Sequence, residues 1–121
     1  MNDECTTLQQ LKKRHVDFVS ARDWNQFHIP KNLSMALAIE AAELMEKFQW
    51  VDNAQSWAVL QAERENIEHE LADVLSYVIA FANACNIDLA TAFERKMRLN
   101  EAKYPIDQAK GRTDKYTTYA K

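Results

Sequence analysis

Two stretches have residue types and spacing suited to chemistry: Glu40-Ala41-Ala42-Glu43 and, about thirty residues on, Glu70-Leu71-Ala72-Asp73. Both have the form carboxylate-x-x-carboxylate, and both sit in otherwise apolar, helix-forming sequence. On a helix the side chains at i and i+3 are neighbours, with Cβ atoms about 5–6 Å apart. Two like charges that close oppose the helix unless a cation lies between them. Two such pairs, on helices that a short connection could bring face to face, suggest a cluster of four carboxylates that needs a divalent metal. Buried and unpaired, these groups would shift their pKa upward rather than stay charged. A hard cation held by oxygen ligands removes that penalty, and Mg²⁺ suits a few carboxylates together with phosphate oxygens and waters.

On the second helix alone, a solvated face explains the pattern equally well. Glu40, Glu43 and Lys47 fall within one narrow sector at about 100° per residue, and Glu43 could pair with Lys47 at i+4. The third helix shifts the balance. Glu70 and Asp73 share their sector with Asn66 and Tyr77, then with Ala80, Phe81 and Ala84. A solvent stripe should stay polar to its end, whereas this one turns apolar, as expected where a packed face opens into a cavity. Glu63, Arg64 and Glu65 read as ordinary solvated residues. A di-iron carboxylate bundle would use Glu-x-x-His pairs from facing helices. No Glu-x-x-His occurs in the chain, which argues against iron.

The elements that must position these groups are helices. Thr6 or Thr7 can cap a first helix running to about Ala21, along which Leu8, Leu11, His15, Phe18 and Val19 recur at helical spacing. An aromatic, polar loop from Arg22 to Lys31 follows. Pro30, with Asn32 as N-cap, opens a second helix over about Leu33–Phe48. A connection from Gln49 to about Ser56 leads to a short helical piece around Trp57–Leu60. A long third helix spans about Glu63–Ala84. Asn86 or Asp88 separates it from a fourth over about Leu89–Lys103, ended by Pro105. The polar tail, 106–121, contains Gly111 and reads as mobile or draped over a partner.

Composition bounds the function classes. The chain has 121 residues, one domain's worth. With one Gly and two Pro it is poor material for a turn-rich β protein, and its 47% hydrophobic and 27% charged content suits a soluble globular domain. A net charge of −3 leaves no electrostatic footprint for nucleic acid or an anionic membrane. The polar, acidic start and the lack of an apolar run of spanning length lead us to expect neither a signal peptide nor a membrane span. Cys5 and Cys85 are too few and too far apart for a disulfide framework or a zinc motif. A cytoplasmic, reduced protein is expected, with Cys85 a small buried hydrophobe.

The ordered set of motifs resembles the MazG-like all-α nucleoside triphosphate pyrophosphohydrolases, whose hallmark is Glu-x-x-Glu on one helix and Glu-x-x-Asp on the next. The dCTP pyrophosphatase-like branch matches best. That match rests on Arg22-Asp23-Trp24-Asn25-Gln26-Phe27-His28 leading into Pro30-Lys31-Asn32-Leu33, and on Lys96 with Asn100-Glu101-Ala102-Lys103-Tyr104-Pro105. The resemblance implies hydrolysis between the α- and β-phosphates, giving a nucleoside monophosphate and pyrophosphate. Glu40, Glu43, Glu70 and Asp73 would hold Mg²⁺, with Mn²⁺ as a substitute, and Glu43 or Glu46 would accept the attacking water's proton. By position His15, Trp24 and Trp50 match family residues around the base, with Tyr77 along the same pocket. Core packing is an equally open role for His15, Tyr77 and the tryptophans. Lys31, Asn32, Lys96, Asn100 and Lys103 would be phosphate contacts, while Trp57 and His28 are left to packing or loop anchoring.

The reading is therefore an all-α bundle of about four helices, residues 1–105, completed by assembly into a homodimer or homotetramer, with residues 106–121 as a tail. Its expected substrate is a deoxynucleoside triphosphate, dCTP or a modified dCTP first, with dUTP or a damaged purine triphosphate as alternatives. From another class, a non-enzymatic helical adaptor would dimerise through the same apolar faces. A nucleic-acid-binding domain is disfavoured by the acidic balance and the absence of a basic stripe.

Overall fold

The computed structural model describes residues 1–119, and the chain divides into two compact units, Met1–Asn86 and Ile87–Lys121. Every regular element among the described residues is helical.

In the first unit α1 (Leu8–Ala21) starts from a capping box. The Gln10 amide donates to Thr7 Oγ1 at 3.2 Å, and the Thr7 amide donates to Gln10 Oε1 at 2.7 Å. Asp23 then adopts a left-handed φ of 54°, a conformation that Asp tolerates better than most residues. The chain reverses there, and the Trp24 amide donates back to the Val19 carbonyl at 3.1 Å. A 3₁₀ turn, Asn25–Phe27, completes the loop.

Helix α2 (Pro30–Glu46) begins three residues before the expected Leu33, with Ile29 rather than Asn32 at the N-cap. Pro30 at the first helical position sacrifices no hydrogen bond, because that N–H would be unpaired anyway. Asn32 lies inside the first turn, and its side-chain amide donates to the Phe27 carbonyl at 3.2 Å, closing the loop. The helix ends at Glu46, two residues before the expected Phe48.

The second half of the expected connection from Gln49 to Ser56 is instead helix, the start of α3 (Asn53–Ala62). Its start is Asp52-x-x-Gln55, a second capping box: the Gln55 amide donates to Asp52 Oδ1 at 2.7 Å, and Gln55 Oε1 accepts from the Asp52 amide at 3.0 Å. Glu63 separates α3 from α4 (Arg64–Cys85). Asn86, at φ 56°, caps α4 in the left-handed conformation common at helix ends.

Helices α2 and α4 form the principal pair, and α1 and α3 pack on α4. The core they share is narrow, made of Val19, Leu33, Ile67, Ile79, Ala80 and Ala82. Asn83 fixes α1 against α4 by donating to the Lys12 carbonyl at 3.1 Å.

In the second unit Asp88 caps α5 (Leu89–Lys103), accepting from the Thr91 amide at 2.9 Å. The segment after Pro105, expected to be mobile or partner-draped, has local structure: α6 (Ile106–Ala109) and a 3₁₀ turn, Tyr116–Thr118. Tyr104 meets the rings of Tyr116 and Tyr119 edge-on, each at 6.0 Å between centroids. Arg112 lies over the Tyr119 ring and binds Asp114, which also bonds Thr118. The Arg112 guanidinium holds the Asp114 carboxyl well below the usual carboxylate range. Ala120 and Lys121, the end of the expected tail, lie outside the described residues.

Candidate metal centre and adjoining pocket

Pairing α2 with α4 brings the two carboxylate motifs together. Glu40, Glu43 and Glu70 are all half-buried, and one oxygen from each lies within 4.8 Å of the others. Asp73, one turn beyond Glu70, is exposed but close enough for its charge to act on Glu40. Glu40 Oε2 and Glu70 Oε2 are shielded from solvent and have no hydrogen-bond partner among the described residues. Burial raises the Glu40 pKa, followed by a hydrogen bond shared with the Glu43 carboxyl and by the negative charges of Glu43, Asp73 and Glu70. Such an arrangement is unfavourable for carboxylates alone, because each desolvated oxygen lacks a donor and each charge repels the others. An all-oxygen donor set with unpartnered buried oxygens fits a hard divalent cation.

The i+4 ion pair that a solvated face of α2 would use is not made. Lys47 does not pair with Glu43; its ammonium reaches Glu63 Oε1 at 3.5 Å.

A cavity of about 450 Å³ opens beside the cluster, with Glu40 and Asp73 on its wall. Helix α1 contributes Arg14, His15, Phe18 and Val19, and α4 contributes Ser76 and Tyr77. The loop supplies Trp24 and His28. Its left-handed turn at Asp23 sets the Trp24 indole edge-on to Phe18, 5.7 Å between centroids, while Arg22 covers the Phe18 ring at 3.9 Å. His15 and His28 face one another with ring centroids 6.4 Å apart. Burial, and secondarily the charge of His28, lowers the His15 pKa below 6.5. A neutral imidazole presents one donor and one acceptor, so this wall can both stack on a flat ring and read its polar edge.

Of the residues singled out in the sequence, Glu40, Glu43, Glu70, Asp73, His15, Trp24 and Tyr77 are thus assembled at one place. Glu46 ends α2 and is exposed. Trp50 is 87% exposed and does not line this cavity, nor do Lys31 and Asn32. Lys96, Asn100 and Lys103 belong to α5 in the second unit, where the Lys103 ammonium sits 5.3 Å from the Tyr116 ring centre. His28, left to packing or loop anchoring, also lines the cavity. Arg14, Phe18 and Ser76 also line the pocket, without a sequence signal that points to it. Phe18 was visible only as one member of an apolar stripe, and Arg14 ends the run Lys12-Lys13-Arg14, which reads as solvated.

Fold and site together define an all-α protein with a two-helix carboxylate centre and an aromatic pocket beside it. The chain belongs to the MazG-like family: the family's model matches residues 35–118. It is similar to dCTP pyrophosphatase 1 of Rattus norvegicus (42% identity) and of Homo sapiens (41% identity), each match covering 92% of this chain. The chain spans 66% of the length of those relatives. It also resembles the crystal structure of a pyrophosphatase from Archaeoglobus fulgidus, with 35% identity and a TM-score of 0.79 over 87% of this chain and 98% of that one. The family inferred from the motifs is therefore the right one, and so is the all-α class.

Proposed function

We propose that this chain is a Mg²⁺-dependent nucleoside triphosphate pyrophosphohydrolase that cleaves between the α- and β-phosphates. The observation that carries the reading is the pair of shielded, unpartnered oxygens of Glu40 and Glu70 at the edge of a pocket walled by Trp24, His15 and Tyr77. Similarity to dCTP pyrophosphatase 1 favours dCTP or a modified dCTP as substrate. Hydrolysis of dUTP or of a damaged purine triphosphate is the same chemistry with a different ring in the pocket.

In this reading Glu40, Glu43, Glu70 and Asp73 hold the metal. When bound, Mg²⁺ would offset the phosphate charge, polarise the α-phosphoryl group and favour attack by water. Oxygen from that water bonds to the α-phosphorus, the bond to the bridging oxygen breaks, and pyrophosphate leaves. Glu43 or Glu46 takes the water's proton. Trp24 stacks on the base, and neutral His15 offers its ring nitrogens to the base edge. Lys31, Asn32, Lys96, Asn100 and Lys103 are retained as phosphate contacts and Trp50 as a base contact, the last three on α5 and Trp50 in the turn after α2. The catalytic helical domain is residues 1–105, with 106–121 as an appendage.

We further propose a cytoplasmic homodimer or homotetramer. Met35 and Ile39 on α2 are 58% and 57% exposed, and Leu71 and Leu75 on α4 are 56% and 44% exposed. Each pair is one helical turn apart on its helix, and a second copy would cover this exposed apolar surface. An adaptor could use the same surface, but it has no need of half-buried, unpartnered carboxylates, which are strained without a ligand.

The deciding experiment is product analysis after incubation with a panel of canonical and modified dNTPs, in Mg²⁺ and in EDTA. Mg²⁺-dependent monophosphate plus pyrophosphate is the expected outcome. Diphosphate plus orthophosphate would overturn the bond assignment, and a folded, metal-supplied protein that turns over nothing would favour the adaptor.

A further inference from the structure

Among the described residues, the ion pairs Lys13–Asp17, Arg64–Glu68, Arg98–Glu94 and Arg112–Asp114 all join residues at most four apart in the chain. Lys47–Glu63 is different. It joins the residue after α2 to the junction between α3 and α4, at 3.5 Å, with 26% and 43% of the two side chains exposed. Lys47 follows Glu40 by seven residues, and Glu63 precedes Glu70 by seven. Seven residues are two helical turns, about 10 Å, so the ion pair sits in register with Glu40 and Glu70 on the same two faces. Glu63 is at the N-cap position of α4, yet its side chain caps no helix N–H. Its carboxylate is therefore available to Lys47.

Lys47 has a competing partner. Glu43 lies four residues before it, in the Glu-to-Lys order that helices favour for an ion pair. A lysine on Glu43 would place a positive charge on a member of the carboxylate centre, opposing any cation there.

We propose that Glu63 is a positioning residue that holds the Lys47 ammonium away from Glu43 and so keeps the carboxylate centre open to a divalent metal. The inference rests on reading Glu40, Glu43 and Glu70 as metal ligands. It predicts an asymmetry that a plain helix–helix clamp does not. Removing Glu63 releases Lys47 onto Glu43, whereas removing Lys47 leaves the centre without a competing cation.

The test is Mn²⁺ binding without nucleotide, followed by titration calorimetry and by the electron paramagnetic resonance signal of free Mn²⁺, with Mg²⁺ as competitor. Glu63→Gln should weaken Mn²⁺ about five- to tenfold, the scale of one added charge at i+4 in a partly desolvated site. Lys47→Met should bind at least as well as the parent. In the double variant Lys47→Met/Glu63→Gln, affinity should return to the Lys47→Met level. Melting temperatures in EDTA, measured on all four proteins, separate loss of fold from loss of metal. Equal weakening in both single variants, with no recovery in the double, would reduce the pair to a clamp and overturn the proposal. Parent-like binding by a folded Glu63→Gln would overturn it too. A parent protein that binds no Mn²⁺ would instead remove the metal reading beneath it.

Discussion

At the scale of single residues, the carboxylates are arranged against their own stability. Among the described residues Glu40 and Glu70 each hide an oxygen from water without a donor, a desolvation cost that a cation satisfying both would offset. Glu43→Ala and Asp73→Ala should each cut turnover at least about a hundredfold, the loss seen when a site loses a group that stabilises developing charge. The EDTA melting temperature should not fall, since each change relieves repulsion. A large drop in that temperature would show the carboxylates to be structural instead. His15 makes a separate prediction. Its lowered folded pKa means that between that value and about 6.5 the unfolded chain binds more protons than the folded one. His15's contribution is therefore fully present above pH 6.5 and is lost as pH falls through the folded pKa. A histidine proton NMR titration should place the His15 midpoint below 6.5. His28→Ala should move it upward, by removing a nearby positive charge and some of the burial. An unmoved midpoint would contradict that cause.

At the scale of elements, site geometry depends on how α2 lies against α4. Leu33, 2% exposed, is the buried anchor of α2. Leu33→Ala should cost about 2–5 kcal/mol, the range for truncating a buried leucine, read from urea unfolding. Because it loosens the helix that carries Glu40 and Glu43, Mg²⁺-dependent stabilisation should shrink with it; full retention of that stabilisation would mean that α2 packing does not set the centre. The elements themselves were legible wherever a signal is local. Thr7 opens α1 and α5 spans Leu89–Lys103 as expected. The differences at helix starts have local causes as well. The Asp52-x-x-Gln55 box starts α3 four residues before the Trp57 expected from the sequence, and Pro30 rather than Leu33 begins α2.

At the scale of the whole molecule, the narrow core and the exposed apolar side chains argue for assembly. Met35, Ile39, Leu71 and Leu75 are about half exposed on α2 and α4. Sedimentation equilibrium should give a dimer or tetramer mass at micromolar concentration. Met35→Glu combined with Leu75→Glu should lower that mass toward the monomer, because a like charge facing its copy opposes the contact. A parent that sediments as a monomer would refute assembly. No single helix among the described residues is long and apolar enough to cross a membrane.

The sequence by itself determined the helical class, because capping and periodicity are written in neighbouring residues, and its ordered motifs carried the family resemblance that singles out the four acidic positions. The partners of those positions were beyond it. Lys47 could equally have chosen Glu43, four residues away, and the chain alone does not favour Glu63. His28 and Phe18 looked like packing until the turn at Asp23 folded the loop onto α1. Only the tertiary structure decided these, since they depend on the register and rotation of one helix against another, which many side chains set together and no short stretch encodes.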